Sequence, residues 1–574
     1  MIVKIEVNNK VIKARKGETI MSALESNGIK IPSICSMKDF TPTGACRMCV
    51  VEIEGRQGLV PSCSQPVNEW MKIKTHSPRV IKSRKTIVEL LLSNHPDDCL
   101  YCERNRNCEL QTLAEELNVR ERRIMGSKNK YKLDHSSPAI IRDPAKCILC
   151  GRCVRMCEEK LSVFAIDFVN RGNRTIIGTT YNKDLNFSSC INCGQCIMVC
   201  PTGALFEKDN LPELEDALHN SEKSVVVQCA PSVSVTLAEE FGIKPGKDIG
   251  GVINAVLKKI GFDKVFDTSF AADLAVMELS YELIQRKRSE DKLPLLSSCC
   301  PAWVKFAEQS YPDLLPAMSA CKSPQQMLGS VLKTYYPDNA GIDAGNIFSV
   351  AVAPCTAKKF EAQREEMTKK GVSDIDAVLT TRELAKLIKL YGIDMNQVEP
   401  EIADEPYGIR SSSGKIFGSA GGMTEALIRT LPYSAGGKEL PELKINELRG
   451  GKVRKESSLK IGKTTYKFVV VSGLSNAISL LEEIRSGKCE FDFVEIMACS
   501  GGCINGGGQP IGAGDTAVRA RMKALYGIDE KETIRCAHKN PAINDMYSDF
   551  FERPGSEKSL KLLHTTYSER KVLL

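Results

Sequence analysis

The sequence predicts a multidomain α/β protein, and three observations predict it. The chain has 574 residues, 42% of them hydrophobic, which is enough for several separate cores. Most of its 24 Cys fall in four tight groups before residue 210, within short strands, turns and loops. From about Asn210 onwards, strands such as Val225 to Val227 and Ile347 to Val352 alternate with amphipathic helices, an α/β pattern over about 365 residues that suits two lobes.

So many thiols beside 2 Trp and 6 His exceed what packing needs. Met1 to Lys13 alternates like a strand and has no apolar leader core, and no run of 18 or more apolar residues occurs. The expectation is a cytoplasmic chain whose reduced thiols serve metals, with neither membrane nor nucleic acid as partner. Charge is uneven. Residues 1–209 hold 32 Lys and Arg against 23 Asp and Glu, and the remainder holds 46 against 48. A basic, Cys-rich half favours a small acidic redox carrier through electrostatic steering, although a merely solvated surface would look the same.

Residues 1–80 form a small β-rich module with one helical stretch, Ile20 to Asn27, and turn signals at Gly17, Gly28 and Gly55. Its Cys35, Cys46, Cys49 and Cys63 are spaced C-x10-C-x2-C-x13-C. That spacing lacks the C-x4-C of plant-type ferredoxins but keeps a close pair with two distant partners, so a 2Fe-2S cluster is favoured over 4Fe-4S. Residues 81–125 follow with a helix-forming stretch, Ser83 to Leu92, and the group His95, Cys99, Cys102 and Cys108. Three Cys with no fourth nearby make an imidazole-completed 4Fe-4S cluster the economical reading. His76, His135, His219, His538 and His564 have no such company and are expected to be ordinary surface or core residues.

A polar, basic linker from about Arg120 to Asp134 opens the third unit, residues 126–209. It contains two near-repeats, Cys147, Cys150, Cys153, Cys157 and Cys190, Cys193, Cys196, Cys200, the second followed by Pro201. C-x2-C-x2-C-x3-C is the bacterial ferredoxin signature, in which the fourth Cys of each run reaches across to the other cluster. Cys147, Cys150, Cys153 and Cys200 are therefore assigned to one 4Fe-4S cluster, and Cys190, Cys193, Cys196 and Cys157 to its neighbour. Zinc ribbons use two C-x2-C pairs and do not fit.

Residues 210–574 make the last unit. It carries Ser297-Ser298-Cys299-Cys300-Pro301-Ala302-Trp303, then Ala353-Pro354-Cys355-Thr356-Ala357-Lys358-Lys359-Phe360-Glu361, then Glu495 to Pro510 with Cys499 and Cys503 inside a glycine-rich run. Cys300, Cys355, Cys499 and Cys503 could converge on a cubane, and Gly501, Gly502 and Gly506 to Gly508 suit tight turns beside a bulky inorganic group. A phosphate loop is the rival for this run and for Gly418 to Gly422. Neither precedes Lys-Ser/Thr, and Gly462-Lys463-Thr464 lacks the earlier Gly.

These segments resemble the three signatures of the FeFe, or iron-only, hydrogenases, and the likeness extends over essentially the whole chain, closest to the clostridial type with four accessory clusters. The resemblance implies a β-grasp 2Fe-2S domain, a His/Cys3 4Fe-4S insert, a bacterial ferredoxin-like two-cluster domain and a two-lobed catalytic domain. It implies reversible interconversion of H2 with two protons and two electrons at an H-cluster, a 4Fe-4S cubane bridged through Cys503 to a two-iron subsite with CO, cyanide and an amine-containing dithiolate. By the same matching Lys358 sits beside cyanide, unlike the solvated Lys359, and Pro231, Ser232, Gln325, Phe417, Met497 and Ala353 line the pocket, with Ala353 replacing the family's Met. Ferredoxin or NAD-linked partner subunits, together with maturation enzymes, are the implied partners. Protons in the family pass from Cys299 to a Glu, a Ser and a second Glu. Here Ser319, Glu282 and Arg286 match, but the first Glu is Leu279, a gap for water to span. Cys229, Cys321, Cys489 and Cys536 are expected to be structural. A non-catalytic iron-sulfur assembly protein is the rival, disfavoured by the complete signatures.

Overall fold

The computed structural model describes residues 1–121, 123–128, 130–289, 294–369 and 371–572. Arg122 and Asn129 of the expected linker and the last two residues lie outside it. Apolar alternation in Ile2–Val7 turns Val3, Ile5 and Val7 inward, and this strand pairs antiparallel with Lys10–Arg15 and parallel with Lys72–Lys74. With Val50–Ile53 and Val60–Pro61 they form a five-stranded mixed sheet, against which the helix Ile20–Ser26 packs. The next helix, Pro78–Asn94, starts before the expected Ser83 because Ser77 caps Val80 N and Pro78 opens its first turn. Its last turn delivers His95.

The two near-repeats are also near-repeats of backbone. Leu149 and Gly151 in the first run, and Asn192 and Gly194 in the second, take left-handed conformations before the short helices Arg152–Arg155 and Gln195–Val199. The expected linker is irregular chain, but it is pinned: Arg123 pairs with Glu89, and Lys128 Nζ donates to the carbonyls of Leu92 and His95.

Two four-stranded sheets build the last unit. One is wholly parallel, in the order Lys264–Asp267, Ser224–Cys229, Ile347–Ala353, Ala377–Thr380. The other runs Leu295–Leu296, Phe493–Met497, Thr464–Ser472, Arg454–Ile461, antiparallel only at its last pair. The helix Thr268–Arg288 packs against Pro324–Leu332 and Gly422–Gly436. As far as Ser280 it is buried on all sides, so its apolar residues show no stripe. Residues 320–322 pair with 563–565: Lys322 N donates to Leu563 O at 2.8 Å and Thr565 N to Ala320 O at 2.7 Å.

Candidate active site

The carboxyl ends of the strands supply one cavity, of about 90 Å³. Pro231 and Ser232 follow Ser224–Cys229, Ala353 ends its strand with Cys355 two residues on, and Met497 ends Phe493–Met497 ahead of Cys499 and Cys503. Cys299 and Cys300 lie beyond Leu295–Leu296. All of these, with Gln325, Phe417 and Lys358, line the cavity, as do Ala230, Thr268 and Ala272, which sequence reasoning did not single out.

Burial, and then the neighbouring thiols, push Cys355 up to about 12 and raise Cys499 and Cys503, while burial raises Cys300. Four such thiols favour deprotonation only beside added positive charge, which iron supplies, so the donor set fits a cubane. Burial would lower the Lys358 ammonium, but Glu361 outweighs it and holds the group above its ordinary value. Lys358 Nζ lies 2.7 Å from Glu361 Oε2, which also accepts from Ser323 Oγ at 2.9 Å. Lys359 is not solvated as expected. It is 2% exposed and bonded to Glu383 at 2.8 Å, Asn210 and Val378 O, because its helix turns it back onto the first sheet.

Cys147, Cys150, Cys153 and Cys200 line a second cavity, and Cys157, Cys190, Cys193 and Cys196 a third, the crossed pairing expected from their spacing. Cys35, Cys46, Cys49 and Cys63 act on one another strongly enough to shift Cys35 and Cys49 down and Cys46 and Cys63 up. Four residues before Cys99 in the chain, the His95 Nδ1 atom is buried without a hydrogen-bond partner, and burial lowers its pKa, as suits a neutral imidazole ligand. Among the described residues no three His, Cys, Asp or Glu side chains close around a single ion.

Gly507 and Gly508 have a different use from the one expected. A Cβ at Gly507 would collide with Cys193 O and Gly194, and one at Gly506 or Gly508 with Pro354. Gly507 lets the backbone of the last unit touch the backbone of the third unit, whereas Gly506 and Gly508 fit against Pro354 within the last unit, and Gly502 and Gly506 line the cavity. Gln195 adds a direct link, its Nε2 donating to Cys499 Sγ at 3.1 Å and Asn505 O at 2.8 Å. Its place beside Cys196 was the available signal.

Glu282, Ser319 and Arg286 lie together away from the cavity lining: Ser319 Oγ donates to Glu282 Oε2 at 2.6 Å, and Arg286 pairs with Glu282 Oε1 at 2.8 Å. Leu279 is 5% exposed in the core. Glu278 points elsewhere, accepting from Tyr547 OH at 2.7 Å, His564 Nε2 at 3.0 Å, Gly555 N at 3.1 Å and Ser559 Oγ at 3.4 Å. Cys229 borders a polar surface cavity with Asp267 and Lys415, whereas Cys536 is buried.

Residues 223–507 match the family described as iron only hydrogenase large subunit, C-terminal domain, and residues 515–570 match the iron hydrogenase small subunit. A 2Fe-2S cluster binding domain matches residues 1–78, the NADH-ubiquinone oxidoreductase-G iron-sulfur region 84–123, and a 4Fe-4S dicluster domain 146–204. Over 98% of its length and all of the relative's, the chain is 38% identical to iron hydrogenase 1 of Clostridium pasteurianum. The chain belongs to the FeFe hydrogenases.

This hydrogenase is also 42% identical, over 99% of both chains, to the NADP-reducing hydrogenase subunit HndD of Solidesulfovibrio fructosivorans. Apo [FeFe]-hydrogenase HydA1 of Chlamydomonas reinhardtii superposes with a TM-score of 0.56 at 35% identity, covering 62% of the hydrogenase and 98% of the algal chain. Cytosolic iron-sulfur assembly component 3 of Mus musculus matches at 30% over 67% of the hydrogenase and 83% of its own length, so the assembly proteins are relatives that share the fold over a shorter span. The hydrogenase is an oxidoreductase acting on H2, with iron-sulfur domains ahead of its H-cluster domain.

Proposed function

We propose that Cys300, Cys355, Cys499 and Cys503 hold the cubane of the H-cluster and that Cys503 also meets its two-iron subsite. The observation that supports this most directly is the convergence of Cys299, Lys358, Met497 and the four thiols on one cavity. One 2Fe-2S cluster belongs to Cys35, Cys46, Cys49 and Cys63, and three accessory 4Fe-4S clusters to the His95 group and the two crossed quartets. The units follow as residues 1–80, 81–125, 126–209 and 210–574, the first a β-grasp. When bound, the H-cluster supplies the making and breaking of the H–H bond.

The chain's residues do the rest. Lys358 offers a buried ammonium to an anionic cyanide. Pro231, Ser232, Gln325, Phe417, Met497 and Ala353 wall the cavity and keep bulk water out. Cys299 hands protons to and from the Ser319–Glu282 pair, and Arg286 holds Glu282 in place. Electrons are exchanged with a small acidic ferredoxin-type carrier or with NAD-linked partner subunits. The basic first 209 residues and the name of the HndD relative support that reading. The proposed compartment is the cytoplasm; among the described residues no helix is long and apolar enough to cross a membrane.

Protein produced with maturation enzymes is expected to show CO and cyanide stretching bands in the infrared. Cys503→Ala, folded and with its accessory clusters, is expected to lose those bands and hydrogen turnover together. Turnover near wild type in that variant refutes the ligand assignment.

A further inference from the structure

The break at Leu279 leaves Cys299 without a proton-carrying side chain on the helix turn that leads to Ser319 and Glu282. Glu278 does not fill it, since all its bonds go to residues 547–564. Cys321, read from sequence as a packing residue, does lie in the break. Residues 296–298 and 318–321 run side by side: Leu296 and Met318 form a parallel bridge, Ser319 N donates to Leu296 O at 2.7 Å, and Ser298 Oγ donates to Cys321 O at 2.7 Å. Ser298 immediately precedes Cys299, so this register sets Cys321 beside the segment from which Cys299 meets the cavity.

The other end of the break is in direct contact. Cys321 Sγ is 3.8 Å from Glu282 Oε2, the oxygen that accepts from Ser319 Oγ, and Cys321 N donates to Ser319 Oγ at 3.2 Å. An inert packing thiol has apolar neighbours. This one, 4% exposed, packs in the apolar core and also faces Glu282 and Ser319, with Glu278 and Tyr547 close by.

We propose that Cys321 relays protons between Cys299 and Glu282, taking the place of the carboxylate that position 279 lacks. The relay rests on the reading that protons enter through Cys299 and leave by Glu282. In the outward direction the Cys321 S–H bond breaks as its proton passes to the Glu282 carboxylate. A new S–H bond forms with a proton that water carries from Cys299. The thiol ends as it began, and no electrons move. Burial, with Glu282 and Glu278, pushes the thiol well up, so it rests as S–H, able both to donate and to accept.

Cys321→Ala is expected to lower turnover by roughly 100-fold, the scale of a lost acid–base step, and to enlarge the solvent isotope effect, with CO and cyanide bands unmoved. Cys321→Ser keeps a proton-carrying group and should retain most activity, which also covers the chance that the Ala variant folds poorly. Adding Leu279→Glu to Cys321→Ala should restore turnover. In protein lacking the two-iron subsite, the S–H stretching band that Cys321→Ala removes should shift in Glu282→Gln. If Cys321→Ala turns over like wild type while Glu282→Gln is impaired, the thiol is not the relay although the route stands. If both turn over like wild type, the route through Glu282 fails and the relay with it. An S–H band that ignores Glu282→Gln also overturns the relay.

Discussion

Ala353 is 2% exposed, packed with Ala351, Ala362, Ile375 and Val378 on one side and facing the cavity on the other. The family signature has Met there. A thioether is polarizable and fills irregular space, so its absence changes the wall that the cavity offers to the proposed two-iron subsite. Ala353→Met is expected to move the CO-stretching bands or the ratio of hydrogen evolution to uptake, at an overpacking cost of about 1–3 kcal/mol in stability. If neither bands nor ratio change, position 353 does not tune the site. Gln195 reaches the proposed cubane ligands from the other side, through its N–H to Cys499 sulfur. Hydrogen bonds to cluster sulfurs favour the more negative, reduced state. Gln195→Leu should therefore lower the cubane potential, which a redox titration followed by electron paramagnetic resonance would read; an unchanged potential counts against a direct bond.

The helix Thr268–Arg288 carries Leu279 and Glu282 on successive turns, one in the core and the other on Ser319. Leu279→Glu is expected to raise turnover, and Glu282→Gln to lower it strongly, in assays with an artificial electron donor so that carrier binding plays no part. Retention of most activity in Glu282→Gln would mean that protons leave elsewhere. Much of this element was legible in the sequence. Glu282 and Arg286, four residues apart, had to share a face, and Glu278 had to point away from Leu279. Which of the ferredoxin-like thiols share a cavity was legible for a related reason, because C-x2-C spacing is local. The role of Cys321 was hidden, because its neighbours come from segments far apart in the chain that only tertiary pairing assembles. Lys359 misled for the same reason: its partner Glu383 lies on a later helix, and a Lys next to a functional Lys gives no local sign of burial.

At the scale of the whole molecule, the uneven charge predicts that reduction by an acidic ferredoxin weakens as salt rises, since added ions screen steering over roughly 8–10 Å. The measurement is KM for ferredoxin against ionic strength with an uncharged mediator as control. A KM indifferent to salt would place carrier docking away from the basic half. The units that such electrons cross are seated backbone to backbone where Gly507 meets Cys193 and Gly194. The seating is reinforced by Arg382, which reaches from its helix to Glu207 at 2.9 Å and to Gly507 O at 2.9 Å. The pairing of residues 563–565 with 320–322 has a consequence of another kind. His564 and Glu278 meet across 286 positions of chain. Loop closure of that length comes late in folding, after local helices and sheets have formed. During synthesis, then, the segment that carries Ser319 and Cys321 emerges long before the chain that pairs with it, so the wall around Glu282 and Ser319 is the last to be raised.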